Sequence, residues 1–237
     1  MSSEMHTAIT ADGHMDLFIA KPDDGAKGGI VVVQEAFGLT PHIQDVCRRV
    51  AAAGYYAVSP ALYHRADEQV FEYENIKGAL PAMQTLSRES IDMDLDVAFA
   101  HLASHGFSGK KVGLVGFCMG GSVALYVAST RHIGASVTYY GGGLTQARFG
   151  FDTGLEMGEH IKAPWLGLYG DLDQSIPFDD VEKLRAIASK CPVPTEVVRY
   201  AEGQHGFNCD DRPAVFNKAI ADDAWTRTLN WFSTHLK

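Results

Sequence analysis

The chain's best-prepared reactive side chain is Cys118, at the centre of Gly116-Phe117-Cys118-Met119-Gly120. An apolar run, Lys111-Val112-Gly113-Leu114-Val115-Gly116, precedes it and a helix-forming stretch follows. Glycines two positions either side of a central nucleophile mark a sharp strand-to-helix turn, with Cys in the place more often held by Ser. The turn strains the central residue, so Gly116, Gly120 and Gly121 are needed for strand and helix to pass closely. It also sets the sulfur at a helix N-terminus, where free N–H groups and the helix dipole favour a thiolate, and it makes the Met119 N–H a candidate oxyanion donor. The competing reading is a tight packing turn whose Cys is buried and inert.

A thiol nucleophile needs a base and a group to orient that base. In α/β-hydrolase folds the three follow the chain order nucleophile, acid, His, with the acid after a later strand and the His in a loop before the last helix. Trp165-Tyr169 reads as a strand, and the loop Gly170-Asp171-Leu172-Asp173-Gln174-Ser175-Ile176-Pro177 follows it. Asp173 fits best because it stands a few residues before an apolar-Pro pair that opens the next helix; Asp171 is the fallback, otherwise a turn residue. Further on, Gly203-Gln204-His205-Gly206 gives a His flanked by glycines, and His titrates where proton transfer at neutral pH requires. The other nine histidines, including His42, His64 and His160, lack such a context and are read as surface or packing residues. No pair of them has metal-ligand spacing with a supporting carboxylate, so no metal and no cofactor are expected. The loop Gln34-Glu35-Ala36-Phe37-Gly38 closes another buried run; in this fold such a loop supplies the second oxyanion N–H, here from Ala36. Glu35 in that loop is either a site carboxylate or an ordinary exposed acid.

These residues need a scaffold of alternating strands and helices. Strands are expected at Gly29-Gln34, Tyr55-Ser59, Lys111-Gly116, Ala135-Tyr140, Trp165-Tyr169 and Glu196-Tyr200, all short, β-rich and suited to burial on both faces. Between them, Thr40 can cap a helix opened by Pro41 and carrying the stripe Ile43, Val46, Cys47, Val50 and Ala51, with Gly54 ending it. Ile91, Leu95, Ala98, Phe99 and Leu102 form a second stripe, and Trp225, Leu229, Phe232 and Leu236 a third. The predicted class is α/β: a mostly parallel central sheet with helices on both faces. An antiparallel hairpin around His6-Ile9 and Met15-Ala20, turning at Asp12-Gly13, is expected at one edge.

At 237 residues and 46% hydrophobic content the chain can bury one substantial core, so residues 1-237 are expected to form one domain. A net charge of -9, with no basic run longer than a pair, opposes a nucleic-acid partner. There is no signal-peptide pattern and no apolar run of about 18 residues, so the reading is a cytoplasmic chain without a membrane partner. Four cysteines without metal-type spacing are expected to be free thiols. A monomer or small homo-oligomer is expected.

Taken together, V-V-V-Q-E-A-F-G-L at 31–39, S-P-A-L-Y at 59–63, K-V-G-L-V-G-F-C-M-G-G at 111–121, Y-Y-G-G-G-L at 139–144, G-D-L-D-Q-S-I-P at 170–177 and G-Q-H-G-F-N at 203–208 resemble the dienelactone hydrolase family, the carboxymethylenebutenolidases. The likeness spans almost the whole chain. It implies an α/β-hydrolase fold, a Cys118-His205-Asp173 triad and a small-molecule lactone or ester substrate. It also implies that Glu35 is a fourth site carboxylate that meets the resting thiol. In the family an Arg four residues after the His binds the substrate carboxylate; here that position is Cys209. Arg65 and Arg212 are the candidate replacements, and Tyr63 and Phe37 the candidate aromatic contacts. The rival readings are a general carboxylesterase or thioesterase, and a non-catalytic redox sensor built on Cys118.

Overall fold

The computed structural model describes residues 1–237. The expected hairpin forms from β1 (Ser2–Thr10) and β2 (Gly13–Lys21), paired antiparallel with Thr10 opposite Gly13. Its turn residues are therefore Ala11 and Asp12, one position earlier than the sequence suggests, and the strands run longer than the apolar patches because an edge hairpin needs only one covered face. Six more strands follow: β3 (Gly29–Val33), β4 (Tyr56–Pro60), β5 (Val112–Phe117), β6 (Ala135–Tyr139), β7 (Trp165–Gly170) and β8 (Thr195–Tyr200). They join one sheet in the order β1-β2-β4-β3-β5-β6-β7-β8; β2 meets β4 antiparallel, and every pairing from β4 to β8 is parallel.

All residues of β3, β4, β5, β6 and β7 are buried, which requires cover on both sheet faces. The cover comes from α1 (Pro41–Ala52) against β2, β3 and β4, α3 (Arg88–Ser104) against β4, α4 (Met119–Thr130) against β5 and β6, and α7 (Lys218–His235) against β6 and β7. Shorter helices, α2 (Ile76–Gln84), α5 (Gly154–Gly158) and α6 (Phe178–Ala188), fill the connections. α1 is built as its residues dictate: Thr40 accepts the Ile43 N–H, Pro41 opens the helix, and Ile43, Val46, Cys47, Val50 and Ala51 are buried. No helix is long and apolar enough to cross a membrane.

The strand order creates the site's location. From β3 the chain goes one way to β4, and β5 then lies on the other side of β3, so the connections diverge between neighbouring parallel strands. A crevice opens at the carboxyl ends of strands at such a switch point. Glu35 follows β3, Cys118 follows β5, Tyr140 follows β6, Asp173 follows β7 and His205 follows β8.

One buried ionic cluster holds the hairpin to the sheet and to α3. The carboxylate of Asp94, fully buried on α3, accepts from Arg65 at 2.7 and 2.9 Å and pairs with His64 at 3.1 Å. Arg65 also reaches Asp12 in the hairpin turn at 2.5 and 3.1 Å. Removing one member of a buried pair leaves its partners desolvated and uncompensated. Asp94→Ala is expected to lower unfolding stability by about 3 kcal/mol, at the lower end for such pairs because Asp12 still holds Arg65; urea denaturation of the variant checks this.

Candidate active site

Cys118 has φ 54° and ψ -113°, a backbone conformation L-residues rarely adopt. It is held there by two bonds across the sheet: the Cys118 N–H donates to the Tyr139 carbonyl at 3.0 Å, and the Gly120 N–H donates to the Gln34 carbonyl at 3.1 Å. The glycine at 116 is a steric requirement, since a Cβ there would lie 1.8 Å from the Gly120 carbonyl oxygen. The turn lifts the sulfur out of the sheet while leaving α4 to begin at Met119. As the first residue of that helix, Met119 has no intrahelical acceptor for its N–H. The Ala36 N–H, in the loop after β3, likewise donates to no backbone group.

The structure brings the three residues singled out by chain order into one line. His205 Nε2 stands 3.0 Å from Cys118 Sγ, and His205 Nδ1 stands 2.6 Å from Asp173 Oδ2. The other Asp173 oxygen accepts from the Ser175 N–H at 2.8 Å and the Ser175 hydroxyl at 2.7 Å. Asp173 is thus buried yet fully engaged, whereas Asp171, the fallback, is tied up in two hydrogen bonds from Arg199 at 2.6 and 2.7 Å. Burial pushes the Asp173 carboxyl up, but the hydrogen bond and charge of His205 and the Ser175 bonds outweigh it and hold it below the ordinary carboxylate value. For His205, burial disfavours the imidazolium, but the Cys118 sulfur and Asp173 together overcome that and raise it to about 10. Such a line can shuttle a proton between sulfur and imidazole while the carboxylate fixes the ring.

Glu35 is completely buried, not the exposed loop acid. One of its oxygens accepts from the Tyr140 hydroxyl at 3.3 Å, and Oε2 has no partner. The contact with the resting thiol implied by the family resemblance does not form in this structure: Sγ is turned to His205 and the carboxylate to Tyr140. In the sequence Tyr140 stands at the end of an expected strand and within Y-Y-G-G-G-L, with no role of its own assigned. The strand stops at Tyr139, because Tyr140 adopts φ 39°, rare for a bulky side chain, and swings its ring to 5.1 Å from both His205 and Phe207. The run of three glycines after it is the one sequence signal of that break.

Two candidate substrate contacts prove to be structural. Arg65 is committed to Asp94 and Asp12, with only 16% of its side chain exposed. Tyr63 is fully buried and donates its hydroxyl to the Ala36 carbonyl at 3.0 Å. Both follow β4, and the loop turns them inward because their polar ends find partners in the core. Phe37 is buried with its edge against Tyr73, ring centroids 4.9 Å apart. Arg212 lies over that aromatic corner, its guanidinium 5.6 Å from the Phe37 ring and 5.7 Å from the Tyr73 ring. A Cβ on Gly206, next to His205, would come 2.6 Å from Arg212 Nη1, so glycine at that position lets the guanidinium approach the histidine loop. Cys209 is buried, where lack of solvent and the Glu35 charge push its thiol up to about 12; all four cysteines are free. His42 and His64 are packing residues bonded to Asp210 and Asp94.

The family model for dienelactone hydrolases matches residues 15–236. The chain belongs to the dienelactone hydrolase family. A Yersinia pestis relative named "Putative carboxymethylenebutenolidase" is 37% identical over 240 residues, covering 97% of this chain and 87% of that protein. A relative of the same name from Escherichia coli K12 is 33% identical over 241 residues, covering 97% and 86%. Among solved structures, one from Klebsiella pneumoniae described as a "Putative Dienelactone Hydrolase" superposes with TM-score 0.88 at 31% identity and covers 98% of both chains. This dienelactone hydrolase family member is a hydrolase acting on esters, on an α/β-hydrolase fold.

With His205 raised to about 10 by the Cys118 sulfur and Asp173, the imidazolium formed when the ring takes a proton from sulfur is held through neutral pH and is lost as pH rises through that value. Hydrolysis of an ester whose leaving oxygen must be protonated should therefore hold steady to about pH 9 and fall above it. Asp173→Asn removes one of the groups that raise His205 and should move the alkaline limb down by about one pH unit or more. A kcat/KM profile against pH reads both, and a limb that stays in place in the variant contradicts the assignment.

Proposed function

We propose that the protein hydrolyses lactones or activated esters through a Cys118-His205-Asp173 triad and a thioester intermediate. The observation that carries this reading is the unbroken line from Sγ to Nε2 and from Nδ1 to the Asp173 carboxylate. His205 takes the Cys118 proton, and the thiolate adds to the substrate carbonyl. The resulting oxyanion is met by the N–H groups of Ala36 and Met119. Collapse breaks the ring C–O bond, and the His205 imidazolium protonates the departing oxygen, leaving the acyl group on sulfur. A water then gives a proton to His205 and attacks the thioester, and the acid leaves as the thiolate is restored.

A thiolate is itself a good leaving group, so the tetrahedral intermediate goes forward only when the oxygen leaves easily. That favours enol lactones and aryl esters over amides and plain alkyl esters. The unpartnered Glu35 Oε2 supports a resting role for that residue: a thiol rotated away from His205 would find an acceptor there.

Arg212 supports recognition of an acidic substrate despite Cys209. Its guanidinium is held against Phe37, the residue after Ala36, and against Gly206, the residue after His205. A charge there would meet a carboxylate at the mouth of the site by paired N–H donors.

Cys118→Ala should lower turnover of a dienelactone and of a p-nitrophenyl ester by at least about a thousandfold with an unchanged circular dichroism spectrum. Undiminished hydrolysis would sink the mechanism. Arg212→Met should penalise a carboxylate-bearing lactone about tenfold more than a neutral aryl ester, mainly through KM, as steady-state kinetics on the two substrates would show. Equal loss on both would remove Arg212 from acid recognition.

A further inference from the structure

We propose that Tyr63 is a positioning residue for the oxyanion hole, locking both of its donors from behind the site. The inference rests on the reading of Cys118 as nucleophile and deepens it. Tyr63 has no exposed surface, so it cannot touch substrate. Its hydroxyl donates to the Ala36 carbonyl at 3.0 Å and lies 3.4 Å from Met119 Sδ. These are the two residues whose N–H groups are aimed at the oxyanion, and they come from different crossovers, one after β3 and one after β5. A single phenol therefore spans the two halves of the hole.

A second tie joins the same three segments. The Gln34 side-chain oxygen accepts the Leu62 N–H at 3.1 Å, while the Gln34 carbonyl accepts the Gly120 N–H at 3.1 Å. The stretch after β4 thus grips the β3 loop twice, through Leu62 and Tyr63, and touches the elbow through Met119. The next two residues anchor that stretch in turn: His64 and Arg65 bond the fully buried Asp94. Four consecutive residues act as a strut between α3 and the oxyanion loop. The inward-pointing hydroxyl of a fully buried Tyr63 then has a physical account: it keeps the Ala36 peptide from rotating.

Oxyanion donors act only when pre-set at about 2.7–3.1 Å from the developing charge, and removing one donor costs about a hundredfold or more in kcat. Loosening two donors without removing either should cost less. Tyr63→Phe keeps the ring in the core and deletes only the hydroxyl. Its kcat on a p-nitrophenyl ester is expected to fall about tenfold with KM within about twofold. A trifluoromethyl ketone, which forms a tetrahedral adduct with the Cys118 sulfur and places an oxyanion in the hole, should bind about tenfold more weakly. Iodoacetamide alkylation of Cys118 develops no oxyanion, so its rate should stay at the wild-type value. That split separates positioning of the hole from general loosening of the fold or a change in the thiol, either of which would slow alkylation as well.

If Tyr63→Phe fails to fold, Met119→Leu serves, since it keeps the N–H and deletes the sulfur contact; a fall of about threefold in kcat with unchanged alkylation is then expected. Folded Tyr63→Phe with wild-type kcat and wild-type ketone affinity overturns the proposal, as does an equal loss of turnover and alkylation. Turnover surviving in Cys118→Ala would instead overturn the nucleophile assignment on which the proposal rests, so the two failures are distinguishable.

Discussion

Everything at the site depends on one strained residue being held in place. Cys118 carries a backbone conformation that costs on the order of 1–3 kcal/mol, and it persists because its neighbours leave no alternative. The Cys118 N–H is fixed to β6 and the Gly120 N–H to the end of β3, while Gly116 has no room for a side chain. The strain serves geometry. A relaxed strand-to-helix connection would bury the sulfur against the sheet, whereas this one presents it at the start of α4, facing His205 at 3.0 Å.

The same constraint gathers polar groups at one edge of the sheet. Each strand from β3 to β8, β4 apart, delivers one polar or ionisable side chain just past its carboxyl end, and most of these find partners within the protein. Asp173 is satisfied by His205 and Ser175, and Tyr140 reaches down to Glu35. Glu35 Oε2 is an exception, left without a donor in the core. Buried unpaired acceptors are costly. β4 contributes in a different way, through the stretch Leu62, Tyr63, His64 and Arg65 that follows it, which bonds Gln34 and Ala36 on one side and Asp94 on the other.

The legible part of the sequence was the part written in local rules. Strand positions could be read because buried parallel strands need continuous apolar runs, and α1 because Thr40, Pro41 and a 3.6-residue stripe leave no other reading. Cys118, Asp173 and His205 could be singled out before any coordinates because the glycine brackets of the first and last and the apolar-Pro pair after the acid are local features. The errors fell on residues whose roles depend on distant partners. Arg65 and Tyr63 look like pocket residues in a loop after a strand, but Asp94 and Asp12 claim the first and Ala36 claims the second. Nothing within a few positions of Arg65 announces Asp94, twenty-nine residues away. Tyr140 was overlooked because a positive φ at a bulky residue follows no propensity rule.

By itself, then, the sequence determined the α/β alternation, the elbow around Cys118, and the order of acid and histidine behind it, since hydrophobic period, glycine placement and turn chemistry act over a few residues. Only the tertiary structure decided which arginine lies over the Phe37–Tyr73 corner, which carboxylate is buried, and which aromatic hydroxyl meets the Ala36 carbonyl. Those outcomes turn on where a side chain's polar end finds its partner. That is fixed by the packing of segments far apart in the chain, and the Cys118 thiol itself meets His205 only because β5 and β8 end on the same edge of one sheet.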